Sequence, residues 1–152
     1  MKILVFSDSH NKLSTMEQAV ARHSPGHILH LGDHEQDAKH LAKTYSHIPV
    51  QFVRGNCDLP SATPLLLECT IAGRRILLTH GHRYNVKAGY AAIYHMGQAA
   101  GADLLLFGHT HIPHYEQIDT MHALNPGSAA HTYALVQILG SELCCTLHSM
   151  SN

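Results

Sequence analysis

The sequence has little charge and no excess of either sign. Charged residues make up 14% of the chain, and ten basic against eleven acidic residues give a formal net charge of −1. Proteins that hold nucleic acid or an anionic membrane by electrostatics need a basic patch or stripe. No nucleic-acid footprint is therefore expected, a nuclease is disfavoured, and any affinity for anions has to be local.

Long hydrophobic runs are also missing. The apolar stretch after Lys2 is too short for a signal-peptide core or a membrane span, and no later stretch approaches one. The four cysteines (Cys57, Cys69, Cys144 and Cys145) show no CxxC spacing, which favours reduced thiols and a cytoplasmic protein. Without repeats or linkers, the length of 152 residues predicts a single domain, 1–152.

Short apolar runs bounded by turn-forming residues recur along the first two-thirds of the chain. They read KILVFS, HILHLG, VQFVRG, RILLT and DLLLFG, and each is typical of a buried strand. Several of these runs are separated by segments whose apolar residues have helical spacing. These segments are LSTMEQAVARHS, EQDAKHLAKTYS and 86–100. Ser14 and Glu17 are expected to form a capping box at the first helix. With a hairpin around Gly73, the pattern predicts an α/β domain.

The last third of the chain is strand-like. The segments PHYEQID, MHALNPGS, TYALVQIL and LCCTLHS are separated by turn formers. We expect mostly antiparallel strands here, which form a second sheet or the edge of one.

Side chains that can bind metal follow five successive predicted strands. These are Asp8, Asp33, Asn56, His80 and His109. Ligands of open α/β sheets bind beyond the carboxyl ends of the strands. His10 and His111 lie two residues after Asp8 and His109, which in extended chain places each pair on one face. Sixteen histidines give about two such histidine pairs by chance, so the position at strand ends, rather than the spacing, indicates a site.

These seven candidates exceed what one divalent ion needs and suit two ions that share a carboxylate. A set of oxygen and nitrogen ligands without thiolate favours manganese, iron, zinc, nickel or magnesium. Two such ions, two carboxylates and a hydroxide carry a net charge of about +1, which would attract a phosphate group.

The blocks SDSH, HLGDH, RGNCD, THGH and GHTH, in this order, resemble the signature blocks of the calcineurin-like metallophosphoesterases. The chain length, GNCD and NPGS are similar to the small prokaryotic phosphodiesterase branch. The resemblance implies a four-layer α/β/β/α sandwich with mixed sheets and a dimetal site at the carboxyl ends of strands. It assigns Asp8, His10 and His111 to the first ion, Asn56, His80 and His109 to the second, and Asp33 as the bridge.

The function that the resemblance implies is a dimetal-dependent phosphodiesterase with manganese as the first choice of metal. Small phosphodiesters would be hydrolysed by in-line attack of a metal-bridging hydroxide, with phosphomonoesterase side activity. The resemblance also implies self-association as a homodimer or homotetramer. Asp33, Asn56, His82 and Cys57 are the predicted catalytic residues. Many family members carry histidine where this chain has Cys57, and a thiol is a poorer partner for a developing alkoxide. We therefore expect a preference for good leaving groups, or the use of His82 or water as the acid.

Three residues near the predicted ligands are not expected to bind metal themselves. Asp58 is expected to orient a backbone amide or a histidine, His34 to be exposed, and Asn125 to lie beside the metals. The alternative function is a protein-interaction scaffold of the same fold with weak or no catalysis. The complete ligand set favours catalysis over that alternative.

Overall fold

The computed structural model describes residues 1–150 and forms ten strands and three α-helices over that range. The strands are β1 (Lys2–Phe6), β2 (His27–His30), β3 (Val50–Phe52), β4 (Leu66–Ile71), β5 (Arg74–Thr79), β6 (Leu104–Leu106), β7 (His114–Ile118), β8 (Met121–Asn125), β9 (Thr132–Leu139) and β10 (Glu142–Ser149). The helices are α1 (Leu13–His23), α2 (Glu35–Thr44) and α3 (Ala91–Ala99), and a 3₁₀ turn covers His82–Tyr84.

The strands form two mixed five-stranded sheets. The first has the order β10-β9-β1-β2-β3, and the second has the order β4-β5-β6-β8-β7. Strands β1, β2 and β3 run parallel, as do β5, β6 and β8, while β9, β10, β4 and β7 pair antiparallel with their neighbours. The carboxyl ends of the parallel strands in each sheet therefore share one edge.

Side chains along each strand face the core between the sheets and the helix layer in turn. Ile3 and Val5 of β1 point into the core between the two sheets, while Leu4 and Phe6 pack under α1 and α2. In the second sheet, Leu77 packs on the α3 side. Successive side chains of a strand face opposite sides, so a continuous apolar run fills two layers at once. The predicted four-layer α/β/β/α sandwich is confirmed.

The strand-like tail is mostly antiparallel, as expected, but it is divided between the two sheets and does not form one sheet or one edge. Strands β7 and β8 complete the second sheet, and β8 pairs parallel with β6. Strands β9 and β10 cross to the first sheet, where β9 pairs antiparallel with β1. Apolar alternation identifies a strand but not its partner, since pairing between distant segments is decided by packing.

Two helix starts also differ from the prediction. Helix α1 has Lys12 at its N-cap and no side-chain cap bond, so the Ser14–Glu17 capping box is wrong. The Oγ1 atom of Thr15 donates instead to the carbonyl of Lys12 at 2.7 Å. Helix α3 begins only at Ala91, after a turn in which Asn85 is left-handed with φ 52°. Within residues 1–150, no helix is long and apolar enough to cross a membrane.

Candidate metal centre

Loops from both sheets meet at the shared carboxyl edge. Asp8 follows β1 and Asp33 follows β2 in the first sheet, whereas His80 follows β5 and His109 follows β6 in the second. Hydrogen bonds tie these loops together across the sandwich. The Nδ1 atom of His80 is 2.8 Å from the Leu31 carbonyl, and the His109 amide donates to Asp8 Oδ2 at 3.1 Å.

Two groups of side chains at this edge could each hold a cation. One consists of Asp8, His10 and His111, and the other consists of Asp8, Asp33 and His80; in each group the candidate ligand atoms lie within 4.8 Å of one another. Asp8 belongs to both groups. Side chains that are distant in sequence thus converge on two adjoining positions.

Asp8 supplies a direct test of whether a cation fits. Its carboxylate is fully buried, and Oδ2 accepts a hydrogen bond from Ser7 Oγ at 2.6 Å. Oδ1 has no hydrogen bond, although Nε2 of His111 lies 3.1 Å away and Nε2 of His80 lies 3.7 Å away. A buried carboxylate oxygen without a donor is costly. A cation bound between these atoms would remove that cost, so the residues fit a metal ion.

His80 is oriented as a metal ligand. It is fully buried, and donation from Nδ1 to the Leu31 carbonyl leaves Nε2 facing Asp8 and Asp33. Metal-binding histidines usually donate their second ring nitrogen to a carbonyl or carboxylate in this way.

The pKa shifts of His80 and Asp33 agree with this orientation. Burial lowers the pKa of His80, but the hydrogen bond to Asp33 and the charges of Asp8 and Asp33 outweigh it and raise the pKa. Burial opposes ionisation of Asp33, whereas His80 and the Cys57 amide lower its pKa far below the usual range. Asp33 is therefore ionised at neutral pH, and the raised pKa of His80 reflects the negative charge of the carboxylates that face it.

The two remaining predicted ligands lie at the same edge but outside those groups. Nδ1 of His109 is 3.2 Å from Nε2 of His80. Asn56 is exposed, and its amide donates to Cys57 Sγ at 3.5 Å. The Cys57 amide in turn donates to Asp33 Oδ1 at 2.9 Å. This bond holds the Asn56 loop beside Asp33.

Left-handed backbone conformations cluster at the site. Asp8 (φ 51°), His10 (φ 44°), Asp33 (φ 56°), His109 (φ 70°) and His111 (φ 61°) all have positive φ. The expectation that Asp8 and His10, and likewise His109 and His111, lie in extended chain is wrong, because β1 and β6 end before these residues. A left-handed non-glycine residue costs about 1–2 kcal/mol, and such strain concentrates at functional sites. Tight turns, rather than strand alternation, bring these side chains together.

Asp58 anchors the backbone under Asp33. Its carboxylate accepts hydrogen bonds from four amides, those of Asp33 at 3.0 Å, His34 at 2.7 Å, Glu35 at 2.8 Å and Gly55 at 2.8 Å. The prediction that Asp58 orients backbone amides is confirmed.

A buried polar network below the site was missed by the sequence analysis. Nε2 of His30 lies 2.9 Å from Ser9 Oγ, which donates to Asp37 Oδ2 at 2.7 Å. Asp37 also accepts the Asn11 amide, and Nδ1 of His30 accepts the Gly32 amide at 3.2 Å. Burial lowers the pKa of His30 to about 4, so this histidine is neutral. Its signal in the sequence was a histidine at a core position of the HILH strand.

Three other residues approach the ligands. His34 is half-buried, so its expected exposure is wrong, and its ring lies 5.0 Å from the His10 ring. The His82 ring is 5.5 Å from that of His80, and its buried Nδ1 has no hydrogen-bond partner. Asn125 donates to the Gly108 carbonyl at 3.0 Å and therefore supports the loop that carries His109, as its predicted place beside the site requires.

Structural comparison gives the same fold. A predicted phosphoesterase from Streptococcus pneumoniae superposes with a TM-score of 0.83 at 26% identity, covering 98% of this chain and 89% of that one. Vps29 from Entamoeba histolytica, whose crystal structure contains zinc, superposes with a TM-score of 0.76 at 19% identity, covering 99% of this chain and all of that one. At that identity the second likeness shows the fold alone.

Sequence comparison shows the family. The chain is 34% identical to the probable metallophosphoesterase YsnB of Bacillus subtilis, over 84% of this chain and 75% of the relative. It is 26% identical to the phosphodiesterase YfcE of Escherichia coli, over 86% of this chain and 80% of the relative. Residues 1–143 match the calcineurin-like phosphoesterase superfamily domain. The chain therefore belongs to the calcineurin-like phosphoesterase superfamily.

Proposed function

We propose that this protein is a dimetal-dependent phosphodiesterase that hydrolyses small phosphodiesters. The observation that carries the proposal is the buried Asp8 Oδ1, which faces the ring nitrogens of His80 and His111 without a hydrogen bond. A relative from Escherichia coli is a phosphodiesterase by name. Nucleic acid is not the expected substrate, because the chain carries a net charge of only −1 with no basic excess.

The proposed ligand sets follow the family pattern. Asp8, His10 and His111 would hold one ion, and Asn56, His80 and His109 would hold the other, with Asp33 between them. The first set coincides with one of the two side-chain groups at the edge, which supports it. For the second, Asp33 Oδ2 lies 3.4 Å from His80 Nε2.

Two bound divalent ions would lower the pKa of a shared water and neutralise the phosphoryl oxygens. Manganese suits this mixed oxygen and nitrogen set and is the proposed metal. The surrounding residues prepare the site by fixing its ligands. Ser7 and the His109 amide orient Asp8, the Leu31 carbonyl fixes the His80 ring, and the Cys57 amide holds Asp33.

Cys57 is held as a neutral thiol. A hydrogen bond with Asp33, burial and nearby carboxylates raise the pKa of the thiol. The proton therefore stays on Sγ at neutral pH, and Cys57 can donate only weakly to a leaving group. Activity would accordingly be highest on esters of acidic alcohols.

Substitution of Asp33 tests the function. Asp33→Asn and His109→Ala should each lower turnover of bis(4-nitrophenyl) phosphate by at least about a hundredfold. Metal content, measured by elemental analysis, should fall in both variants. His47→Ala is the matched control, since His47 is exposed and precedes β3 at the opposite end of that strand. Full activity in Asp33→Asn would contradict the proposal, and loss of one ion instead of two would move the bridging role to Asp8.

A scaffold function remains the second candidate because of the structural likeness to Vps29, a vacuolar protein-sorting protein. Under that alternative, metal-loaded protein with a stable fold would show no turnover of phosphodiesters or monoesters before or after chelation. The proposal also includes a cytoplasmic location, which the four unpaired cysteines favour, and one functional unit over residues 1–152 that can self-associate.

A further inference from the structure

A shallow cleft of 180 Å³ lies beside the candidate metal centre. Its walls are the start of α2 and the loop that follows Asn56. The lining residues are His34, Glu35, Gln36, Cys57, Asp58 and Leu59.

The cleft is joined directly to the proposed ligands. His34 follows Asp33 in the chain, and its ring packs edge-on against the His10 ring at 5.0 Å. On the other wall, the Cys57 amide donates to Asp33 Oδ1 at 2.9 Å. A group attached to a phosphate at the metal centre would therefore lie next to the cleft.

The charged groups of the cleft are already occupied. The Asp58 carboxylate accepts four backbone amides, including those of His34 and Glu35 at the start of α2. Because a carboxylate covers these amides, the helix N-terminus offers no site for an anion. Glu35 is buried and accepts from Lys39 Nζ at 3.0 Å and from Ser61 Oγ at 3.2 Å.

The groups left for a ligand are uncharged or apolar. Leu59 is 83% exposed, so its side chain is accessible to a ligand in the cleft. It stands with the Cys57 thiol, the exposed Gln36 amide and the His34 ring. No arginine or lysine lines the cleft. Such a lining disfavours anionic substituents, because its two charged side chains are the carboxylates of Glu35 and Asp58. Leu59 and the His34 ring offer an aromatic ring an apolar face and a stacking partner.

We propose that this cleft is the subsite for an uncharged aromatic ester group of the substrate, with Leu59 as its apolar contact. The inference rests on the proposed phosphodiesterase function and narrows its substrate class. An apolar cavity of about 150 Å³ accepts benzene, so a cleft of 180 Å³ has room for a single ring. The ring belongs to an aryl ester or to a nucleobase.

Non-hydrolysable ligands test the subsite apart from catalysis. We expect calorimetry on the metal-loaded protein to show phenylphosphonate binding about five- to tenfold tighter than methylphosphonate. Leu59→Ser should reduce this ratio to less than about twofold and leave methylphosphonate binding unchanged. Leu139→Ser is the matched control: Leu139 is also exposed, at 61%, but β9 runs antiparallel to β1 and places it at the opposite end of the first sheet. That variant should keep the wild-type ratio.

A second pair of ligands identifies the ring. If thymidine 5′-phosphate binds more tightly than ribose 5-phosphate and Leu59→Ser removes the difference, the subsite takes a nucleobase. A difference confined to the phosphonate pair assigns a simple aryl group. Equal binding within both pairs, in a protein that hydrolyses bis(4-nitrophenyl) phosphate, overturns the subsite alone. A metal-loaded protein that binds no phosphonate and hydrolyses no ester overturns the proposed function as well.

Discussion

At the residue scale, Asp8 and His80 show how hydrogen bonds outside a cluster set its chemistry. Each uses one polar atom for structure and leaves the other facing the candidate ion position: Asp8 bonds Ser7 through Oδ2, and His80 bonds the Leu31 carbonyl through Nδ1. These bonds fix the orientation of both side chains and the tautomer of His80 before a metal binds. Replacing the supporting group should therefore weaken metal binding even though no ligand is lost.

Cys57→His would place a stronger acid beside the candidate metal centre. An imidazole, with an ordinary pKa of about 6.5, is a better proton donor to an alkoxide than a thiol whose pKa is raised by Asp33. Turnover of alkyl phosphodiesters should rise by about tenfold or more, while turnover of the bis-aryl ester changes by about twofold or less. The ratio of the two rates is the measurement.

Cys57→Ser is the control for that variant, since a hydroxyl is no better an acid than the thiol and should leave the ratio unchanged. If Cys57→His also leaves the ratio at its wild-type value, the residue at this position does not limit the chemistry.

The sequence predicted the seven proposed ligands because five of them follow recognisable apolar runs and two lie two residues further along the chain. It gave no role to His34 and overlooked His30. Both depend on what lies opposite in space: His34 meets the His10 ring, and His30 meets Ser9. A histidine has no periodicity of its own, so its partner cannot be read from its neighbours in the chain.

At the scale of elements, the strand-to-loop junctions decide the site. Gly108, between β6 and His109, has no room for a side chain: an added Cβ would lie 2.0 Å from Ser7 Oγ and 2.9 Å from Asp8 Oδ2. The backbone of one sheet thus packs directly on the carboxylate of the other. Glycine is required at this junction because of that close approach.

Gly108→Ala should accordingly displace Asp8 and reduce both metal content and activity by at least about tenfold, with a stability loss of about 1–3 kcal/mol. Gly140→Ala is the control. Its Cβ would meet nothing within 4 Å, so it carries only the strain of its φ of +60°, about 1–2 kcal/mol. Elemental analysis and a thermal melt of both variants provide the comparison, and a fully active Gly108→Ala protein would refute the close approach.

The elements themselves were largely predictable, whereas their junctions were not. Apolar runs and helical spacing placed β1, β2, β5, β6 and the first two helices. The left-handed conformations of Asp8, His10 and His109 had no signal, because aspartate and histidine are compatible with either conformation and surrounding contacts impose the choice.

At the scale of the whole molecule, the buried His30 couples stability to acidity. Its pKa falls to about 4 in the folded protein through burial, against about 6.5 in an unfolded chain. The unfolded state therefore binds the proton first as the pH drops. Stability contributed by neutral His30 is complete above pH 6.5 and is lost as the pH falls through 4, by up to about 3 kcal/mol.

The free energy of unfolding, measured by urea titration of the chelated protein from pH 7 to pH 4, tests this coupling. His30→Gln should flatten the pH dependence relative to wild type, because glutamine cannot take up the proton. His47→Gln, which alters an exposed histidine, should retain the wild-type slope. Equal slopes in all three proteins would show that His30 does not control acid stability.

The sheet order was the part of the architecture that sequence patterns could not supply. Strand β9 returns to pair with β1 across more than a hundred residues, in the register Lys2 with Gln137. Such a contact depends on the packing of the completed layers, while local patterns report only that each segment is a strand.

The candidate ligands come from both halves of the sandwich, with Asp8, His10, Asp33 and Asn56 after strands of the first sheet and His80, His109 and His111 after strands of the second. Ions bound there would link the two sheets at one end of the molecule. Amide hydrogens near that end should exchange more slowly when manganese is added, and those at the far end should hardly respond. The bound ions would then both take part in the reaction and hold the two sheets together. Removal of the metal would therefore destabilise the loops that position its own ligands.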